Sequence, residues 1–383
     1  MTPHDAAPLR ALGLMSGTSM DGVDLALVET DGAERLSTGP TLFVPFAPDL
    51  RSLVRAALPV ARTLADRAAR PPALAAAEAA LTEAYAAAIA TFLSQTRTDP
   101  SAIDVIGLHG QTVFHAPERG LTVQLGDGAA LADRSGRPVA FDFRAADVAA
   151  GGEGAPLVPV YHRALAAGAA LPRPLLVANF GGVANVTFIG GEGSLVACDT
   201  GPASALLDDL VEARTGAPYD AGGAIAARGR ADPAALARLM DHPFFALPPP
   251  KSLDRDAFDA TPVAALALED AAATLVAFTA AAFAAVLPHL PDRPVAIVAS
   301  GGGARNATMM AAVAAATGIP VTPADDLGWS ADFVEAQAFA YLAVRHLRGL
   351  PLTFPGTTGV PAPTPGGVLA RPGSGVGATR LAS

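Results

Sequence analysis

Leu12-Gly13-Leu14-Met15-Ser16-Gly17-Thr18-Ser19-Met20-Asp21-Gly22-Val23-Asp24-Leu25-Ala26-Leu27-Val28 reads as an apolar strand, a polar glycine turn and a second strand. The design returns far downstream. Leu175-Leu176-Val177-Ala178 leads into Asn179-Phe180-Gly181-Gly182-Val183-Ala184-Asn185, and Val186-Thr187-Phe188-Ile189 resumes. Glycine turns between β-branched runs predict hairpins at both places. Each opens a half-chain of further strands and helices, which predicts an internally duplicated α/β chain, with a chance pair of hairpins as the competing reading.

Working outward, alanine-rich helices are expected over Ala61–Ser94, Ala155–Ala167, Ala203–Thr215, Pro233–Met240, Val263–Leu287 and Ala331–Arg348. Strands are expected over Val105–Leu108, Thr122–Leu125, Val139–Arg144, Leu195–Asp199 and Val295–Ala299. The domain boundary is placed near residue 150, giving 1–150 and 151–383, with the last helix packing back on the first domain. The Gly- and Pro-rich tail from Pro361 reads as weakly structured.

Composition excludes several classes. The chain has 383 residues, 51% hydrophobic and 16% charged, so disorder throughout is ruled out. Its net charge is −10 and Lys251 is its single lysine, a poor basis for a nucleic-acid face and incompatible with a P-loop lysine motif. The lone Cys198 builds neither an internal disulfide nor a cysteine-rich zinc site. Asp21 and Asp24 interrupt the N-terminal stretch, so no signal peptide is read there. The apolar run Ala271–Leu287 falls short of the roughly 20 residues of a membrane span and reads as a buried helix. The expectation is a soluble, cytoplasmic protein without nucleic-acid or membrane partners.

Three glycine turns are candidate phosphate or nucleotide elements: Ser16 to Gly22, Asn179 to Gly182, and Ser300-Gly301-Gly302-Gly303-Ala304-Arg305-Asn306 ahead of a helix. Thr18 and Ser19 add hydroxyls, and Asp21 either organises its turn or meets a hydrated metal. Asp199 ends an apolar strand before Thr200-Gly201-Pro202, so it is either a general base or a cap for the helix that follows. Arg144 either grips a ligand carboxylate or pairs with Asp142 or Asp147. His109, in His109-Gly110-Gln111-Thr112, either lines a sugar site or is a satisfied turn histidine. Glu335, on an otherwise packed helix, is either paired or reaching a ligand.

Taken together these segments resemble the anhydro-N-acetylmuramic acid kinase family, within the acetate and sugar kinase/Hsp70/actin superfamily. The resemblance rests on Gly13 to Asp24, His109-Gly110-Gln111-Thr112, Gln124-Leu125-Gly126-Asp127, Asp142-Phe143-Arg144, Gly151-Gly152-Glu153-Gly154-Ala155-Pro156-Leu157-Val158-Pro159 and Asp199-Thr200-Gly201-Pro202. It implies two RNase-H-like, actin-like ATPase domains with mixed sheets flanking a nucleotide cleft. It implies ATP with Mg2+, and 1,6-anhydro-N-acetylmuramate as a substrate whose ring is opened as O6 is phosphorylated. The residues it implies for ATP are Ser16, Gly17, Thr18, Ser19, Asp21, Gly22, Asp24, Asn179, Gly181, Gly182, Gly301, Gly302 and Gly303. Asp199 is implied as the catalytic base, and His109, Arg144 and Glu335 as sugar contacts; a homodimer stays open. Two departures stand out: Ala203-Ser204 where the family has a small residue and Asn, and Lys251-Ser252-Leu253-Asp254-Arg255-Asp256-Ala257-Phe258 where it has Lys-Ser-Thr-Gly-Arg-Glu-x-Phe. A kinase for another anhydrosugar or hexose, and a non-enzymatic actin- or Hsp70-like ATP-binding protein, are the alternatives.

Overall fold

The computed structural model describes residues 7–169, 171–191, 193–254 and 257–373. Two compact units emerge: unit 1 is Met1–Gly168 with Phe333–Ser383, and unit 2 is Ala169–Asp332. In chain order unit 1 begins with β1 (Leu9–Ser16), β2 (Gly22–Thr30), β3 (Leu36–Pro45), α1 (Pro48–Ala61), α2 (Pro72–Thr96), β4 (Val105–Ala116), β5 (Leu121–Leu125), α3 (Gly128–Ser135), β6 (Val139–Phe141), α4 (Ala145–Ala149) and α5 (Pro159–Gly168). Unit 2 follows with β7 (Leu175–Phe180), β8 (Val183–Ile189), β9 (Leu195–Pro202), α6 (Ala205–Thr215), α7 (Pro233–Met240), α8 (Leu268–Ala284), β10 (Ala296–Ser300), α9 (Ala307–Thr317) and β11 (Val321–Pro323). The chain then returns to unit 1 as α10 (Val334–Leu347), α11 (Pro355–Thr358) and β12 (Val368–Ala370).

Both expected hairpins form, with β1 antiparallel to β2 and β7 antiparallel to β8. The duplication extends to whole sheets. Unit 1 runs β3-β2-β1-β4-β6, its first three strands antiparallel and β4 and β6 parallel to β1. Unit 2 repeats that order and polarity as β9-β8-β7-β10-β11. This is the RNase-H-like arrangement, twice.

Several expectations shift. The boundary lies at Gly168 rather than 150, because α5 is tied into unit 1: the Tyr161 hydroxyl donates to Gln337 Oε1 on α10 (2.9 Å). The helix expected from Ala61 starts only at Pro72, where Pro71 and Pro72 set its first turn. The strand at Val139 stops at Phe141, since Asp142 takes φ +57°. β3, α1 and α3 were not anticipated. In the tail, Val368–Ala370 pairs antiparallel with β6, so part of it is structured. Arg255, Asp256 and residues 374–383 lie outside the described residues.

Two helices, α2 and α8 extended to His289, are by length and composition able to cross a membrane, so α8 is not too short as expected. Their packing gives them other work. α2 buries Leu74, Ala77, Leu81, Tyr85, Ala88, Ile89 and Phe92, a single stripe at three- and four-residue spacing facing the unit 1 core. Most of α8 is buried in the unit 2 core, where Phe283 stacks on Phe180 (5.3 Å between ring centres).

The opposite face of the unit 1 sheet carries α10. Gly13 and Gly107 are register partners on the parallel strands β1 and β4. A Cβ at Gly13 would overlap the Ala336 carbonyl oxygen, and one at Gly107 the Phe339 carbonyl oxygen. The paired glycines therefore make a seat in which the helix backbone rests on the sheet. That seat fixes the height and rotation of α10, and with it Glu335 in the first turn.

Candidate active site

The first turn is built from both ends of its hairpin. Met20 N–H donates to the Gly17 carbonyl (3.2 Å) and Met20 takes φ +57°-like left-handed geometry, at +55°. Gln111 Nε2, from the middle of β4, also donates to Gly17 O (2.9 Å), and Ser19 Oγ donates to Asp21 Oδ1 (2.6 Å). Thr18, Ser19 and Asp21 are exposed, and a Cβ at Gly17 would meet only Ser19 Oγ at 3.7 Å, so the turn leaves room for an incoming group. Two expected contacts are spent inside the protein. The Ser16 hydroxyl bonds the Tyr85 hydroxyl (2.8 Å) in the core, and Gly22 makes space for Phe43 and Val44 of β3. Asp24 sits half-buried on β2 opposite Met15.

In unit 2 the second turn rests on the start of α6. Gly182 O accepts from Ala203 N (2.9 Å) and Ala205 N (3.3 Å), and Gly181 O accepts from Ser204 N (3.0 Å). These bonds satisfy the amides at the α6 N-terminus, which Asp199 would have served as a cap. Asp199 has another partner: its Oδ2 accepts the Leu253 N–H at 2.8 Å. β9 runs on to Pro202, so Asp199 lies within the strand rather than at its end. There Asn185 pairs with Asp199 and Ala184 with Gly201, leaving Thr200 as the extra residue of a β-bulge. The bulge breaks the side-chain alternation beside Asp199. Burial pushes the Asp199 carboxyl up to about 6, against the lowering pull of the Leu253 amide. A carboxylate poised there is half-ionised near pH 6, mostly ionised at neutral pH, and suited to accept a proton.

The third turn lies close by. Gly301, at φ +84°, and Gly303 have no space for a side chain because Asn179 and Phe180 at the end of β7 press on them, whereas Gly302 faces open space. Asn306 caps α9 by accepting the Met309 N–H (2.9 Å). Gly302, Gly303 and Asn306, with Ser204, Leu207, Asp208, Tyr219 and Met309, line an open recess of about 260 Å3. Tyr219 there is 58% exposed, an aromatic face the sequence did not single out.

Unit 1 gathers the sugar candidates. Arg144 donates through Nε (3.1 Å) and Nη2 (3.0 Å) to His109 Nε2 and through Nη1 to the Gly154 carbonyl (2.8 Å). The ion pairs considered from sequence do not form: Asp142 pairs with Arg67, and Asp147 accepts from Gly154 N (2.6 Å) and Thr358 Oγ1 (2.6 Å). N–H groups on both Nη atoms of Arg144 are left for a ligand. His109 is buried, its ring tilted against Phe339 (4.5 Å between centres), and held well below its ordinary pKa by burial and then by Arg144. With Nε2 accepting, it is a neutral brace for Arg144. Glu335 is solvent-accessible, yet protein crowded around it raises its carboxyl, which Arg144 partly offsets. The Asp147–Gly154–Thr358 clamp and the Leu253 amide at Asp199 join residues far apart in sequence, so no local pattern signalled them.

The family model described as anhydro-N-acetylmuramic acid kinase matches residues 9–371. Proteins named anhydro-N-acetylmuramic acid kinase are similar to the chain across their whole length. That of Bradyrhizobium diazoefficiens is 54% identical over 365 residues, covering 95% of this chain and 100% of its own. The one from Azorhizobium caulinodans is 53% identical over 369 residues, with the same shares covered. Solved structures are more remote: component A of the Acidaminococcus fermentans (R)-2-hydroxyglutaryl-CoA dehydratase aligns at 10% identity, over 88% of this chain and 98% of that one, with a TM-score of 0.46. Identity above half, sustained over nearly the full length of these kinases, leaves one assignment: the chain belongs to the anhydro-N-acetylmuramic acid kinase family.

Proposed function

We propose that the chain converts 1,6-anhydro-N-acetylmuramate, water and ATP into N-acetylmuramate 6-phosphate and ADP, with Asp199 as general base. The observation that carries the reading is Asp199 itself. It is a partly buried carboxylate beside a β-bulge, oriented by a backbone amide, with its pKa raised to about 6. Water attacks the anomeric carbon while Asp199 accepts its proton. The C1–O6 bond breaks, the freed O6 attacks the γ-phosphorus, and ADP leaves with the electrons of the broken P–O bond.

Each remaining residue takes a part that its surroundings support. Amides and hydroxyls of Gly17, Thr18 and Ser19, and of Asn179, Gly181 and Gly182, hold phosphate oxygens without a P-loop lysine. The recess at Gly302, Asn306 and Tyr219 receives the adenosine. Arg144 grips the carboxylate of the sugar's lactyl group in the planar fashion arginine allows, and Glu335 accepts a sugar hydroxyl. Among the described residues no group of three or more His, Cys, Asp or Glu could cage a metal. That donor set fits Mg2+ carried by ATP oxygens and water, with Asp21 and Asp24 in reach of the hydrated ion. When bound, Mg2+ neutralises phosphate charge.

The test is one turnover in 18O-labelled water. The expected product is a 6-phosphate carrying label at the anomeric hydroxyl, formed only when both ATP and the anhydrosugar are present. A phosphorylated product that keeps its anhydro bridge, or ATP hydrolysis indifferent to the sugar, overturns the reading.

A further inference from the structure

We propose that Lys251 is a positioning residue for the Asp199 carboxylate. The inference rests on the reading of Asp199 as base and deepens it. The segment carrying the chain's single lysine runs alongside β9: Asp199 N–H donates to the Lys251 carbonyl (2.9 Å), and two residues on, Leu253 N–H donates to Asp199 Oδ2 (2.8 Å). One short stretch thus holds Asp199 by both its backbone and its side chain. What holds the stretch is the lysine. Its Nζ donates to the Phe244 carbonyl (2.9 Å) and stands 4.3 Å over the Phe244 ring.

That ring is a firm anchor. Phe244 is buried and meets Phe245 edge-on (5.7 Å), and Phe245 meets Phe278 of α8 edge-on (5.9 Å). The strand end beside Asp199 leans on the same cluster, since a Cβ at Gly201 would crowd Ala282 of α8 and Phe245. Lys251 therefore links the oriented carboxylate to the rigid interior of unit 2. Among the described residues, the ionisable groups near Asp199 are Cys198, Lys251 and, beyond Phe244, His242. Cys198 is pushed up to about 12 by burial and stays neutral, Lys251 carries the positive charge, and His242 accepts the Phe244 N–H (3.2 Å). The Leu253 amide favours the ionised carboxylate, so loosening it must raise the pKa of Asp199.

The test compares Lys251→Met and Lys251→Arg with the wild type in the full-length enzyme. Lys251→Met should move the acid limb of the kcat–pH profile upward by about half to one unit, lower kcat about 1.5- to 3-fold near pH 6.5 and recover it by pH 9. KM for ATP and sugar should stay within about twofold, and Lys251→Arg, whose guanidinium can reach the same carbonyl and ring, should restore the profile. Hydrogen exchange gives a readout that needs no activity: the Leu253 and Asp199 amides should lose protection in Lys251→Met and keep it in Lys251→Arg, while α8 stays protected in both as the control for folding. Unchanged exchange, or a pH-independent fall in kcat with the limb in place, overturns the proposal. An acid limb that persists in Asp199→Asn instead overturns Asp199 as base, and the exchange result alone then decides the anchoring by Lys251.

Discussion

Asp199 is held in a state that opposes the stability of the fold. Burial raises its folded-state pKa to about 6 from the ordinary 3.8, so the folded protein binds this proton more tightly than the unfolded chain. The resulting stability is complete below pH 3.8 and is lost as pH rises through 6. Asp199→Asn should therefore gain about 1–3 kcal/mol of unfolding free energy at pH 7.5, with the gain vanishing towards pH 4, as urea titrations at both pH values would reveal. Its turnover should drop about 10²–10⁴-fold, the usual worth of a general base. A variant that is less stable at pH 7.5 contradicts this view of the site. Arg144 offers a second test. A lysine cannot donate to His109 Nε2 and Gly154 O together and still present a planar face, so Arg144→Lys should raise the sugar KM at least about tenfold. The KM for ATP should hold steady, and steady-state kinetics with each substrate varied would separate the two.

Among the elements, the glycine seat beneath α10 is the most exacting contact. Gly107→Ala or Gly13→Ala pushes a methyl into the helix backbone, which cannot yield as a side-chain tip can. A loss of about 3 kcal/mol or more is expected, against less than about 0.5 for Gly168→Ala, where a Cβ meets nothing. Denaturant midpoints of the three variants would check the ordering. Elements also show what the sequence could and could not reveal. The two hairpins are legible because strand, turn and strand are contiguous, α7 because its Asp232 cap is local, and α6 because Gly216 ends it in left-handed geometry. β3 was missed since it is an edge strand with mostly exposed residues, broken by Gly39-Pro40 ahead of its short apolar run Leu42-Phe43-Val44. α1 was missed because Pro59 interrupts its pattern. In the site, Asp199 and Arg144 were singled out from their positions. Their partners, Leu253 and His109, lie 54 and 35 residues away and came only with the fold. The cap reading of Asp199 does not hold, because the amides entering α6 donate to the Gly181 and Gly182 carbonyls and no side chain caps that helix.

At the scale of the whole molecule, the repeated strand order explains how one chain carries two similar glycine hairpins on two separate cores. The units differ in continuity. Unit 2 is one uninterrupted stretch, Ala169–Asp332, whereas unit 1 needs α10 and β12 from the far end of the chain. During synthesis, then, the half made first cannot be finished first. Its glycine seat on β1 and β4 lies bare until α10 leaves the ribosome, which at about 5–20 residues per second is a wait on the order of 10 s. Unit 2 matures in that interval. Nascent chains stalled where Asp332 has just cleared the ribosome and α10 has not should resist protease within 169–332 yet be cut within 7–168, and release of the full chain should protect both.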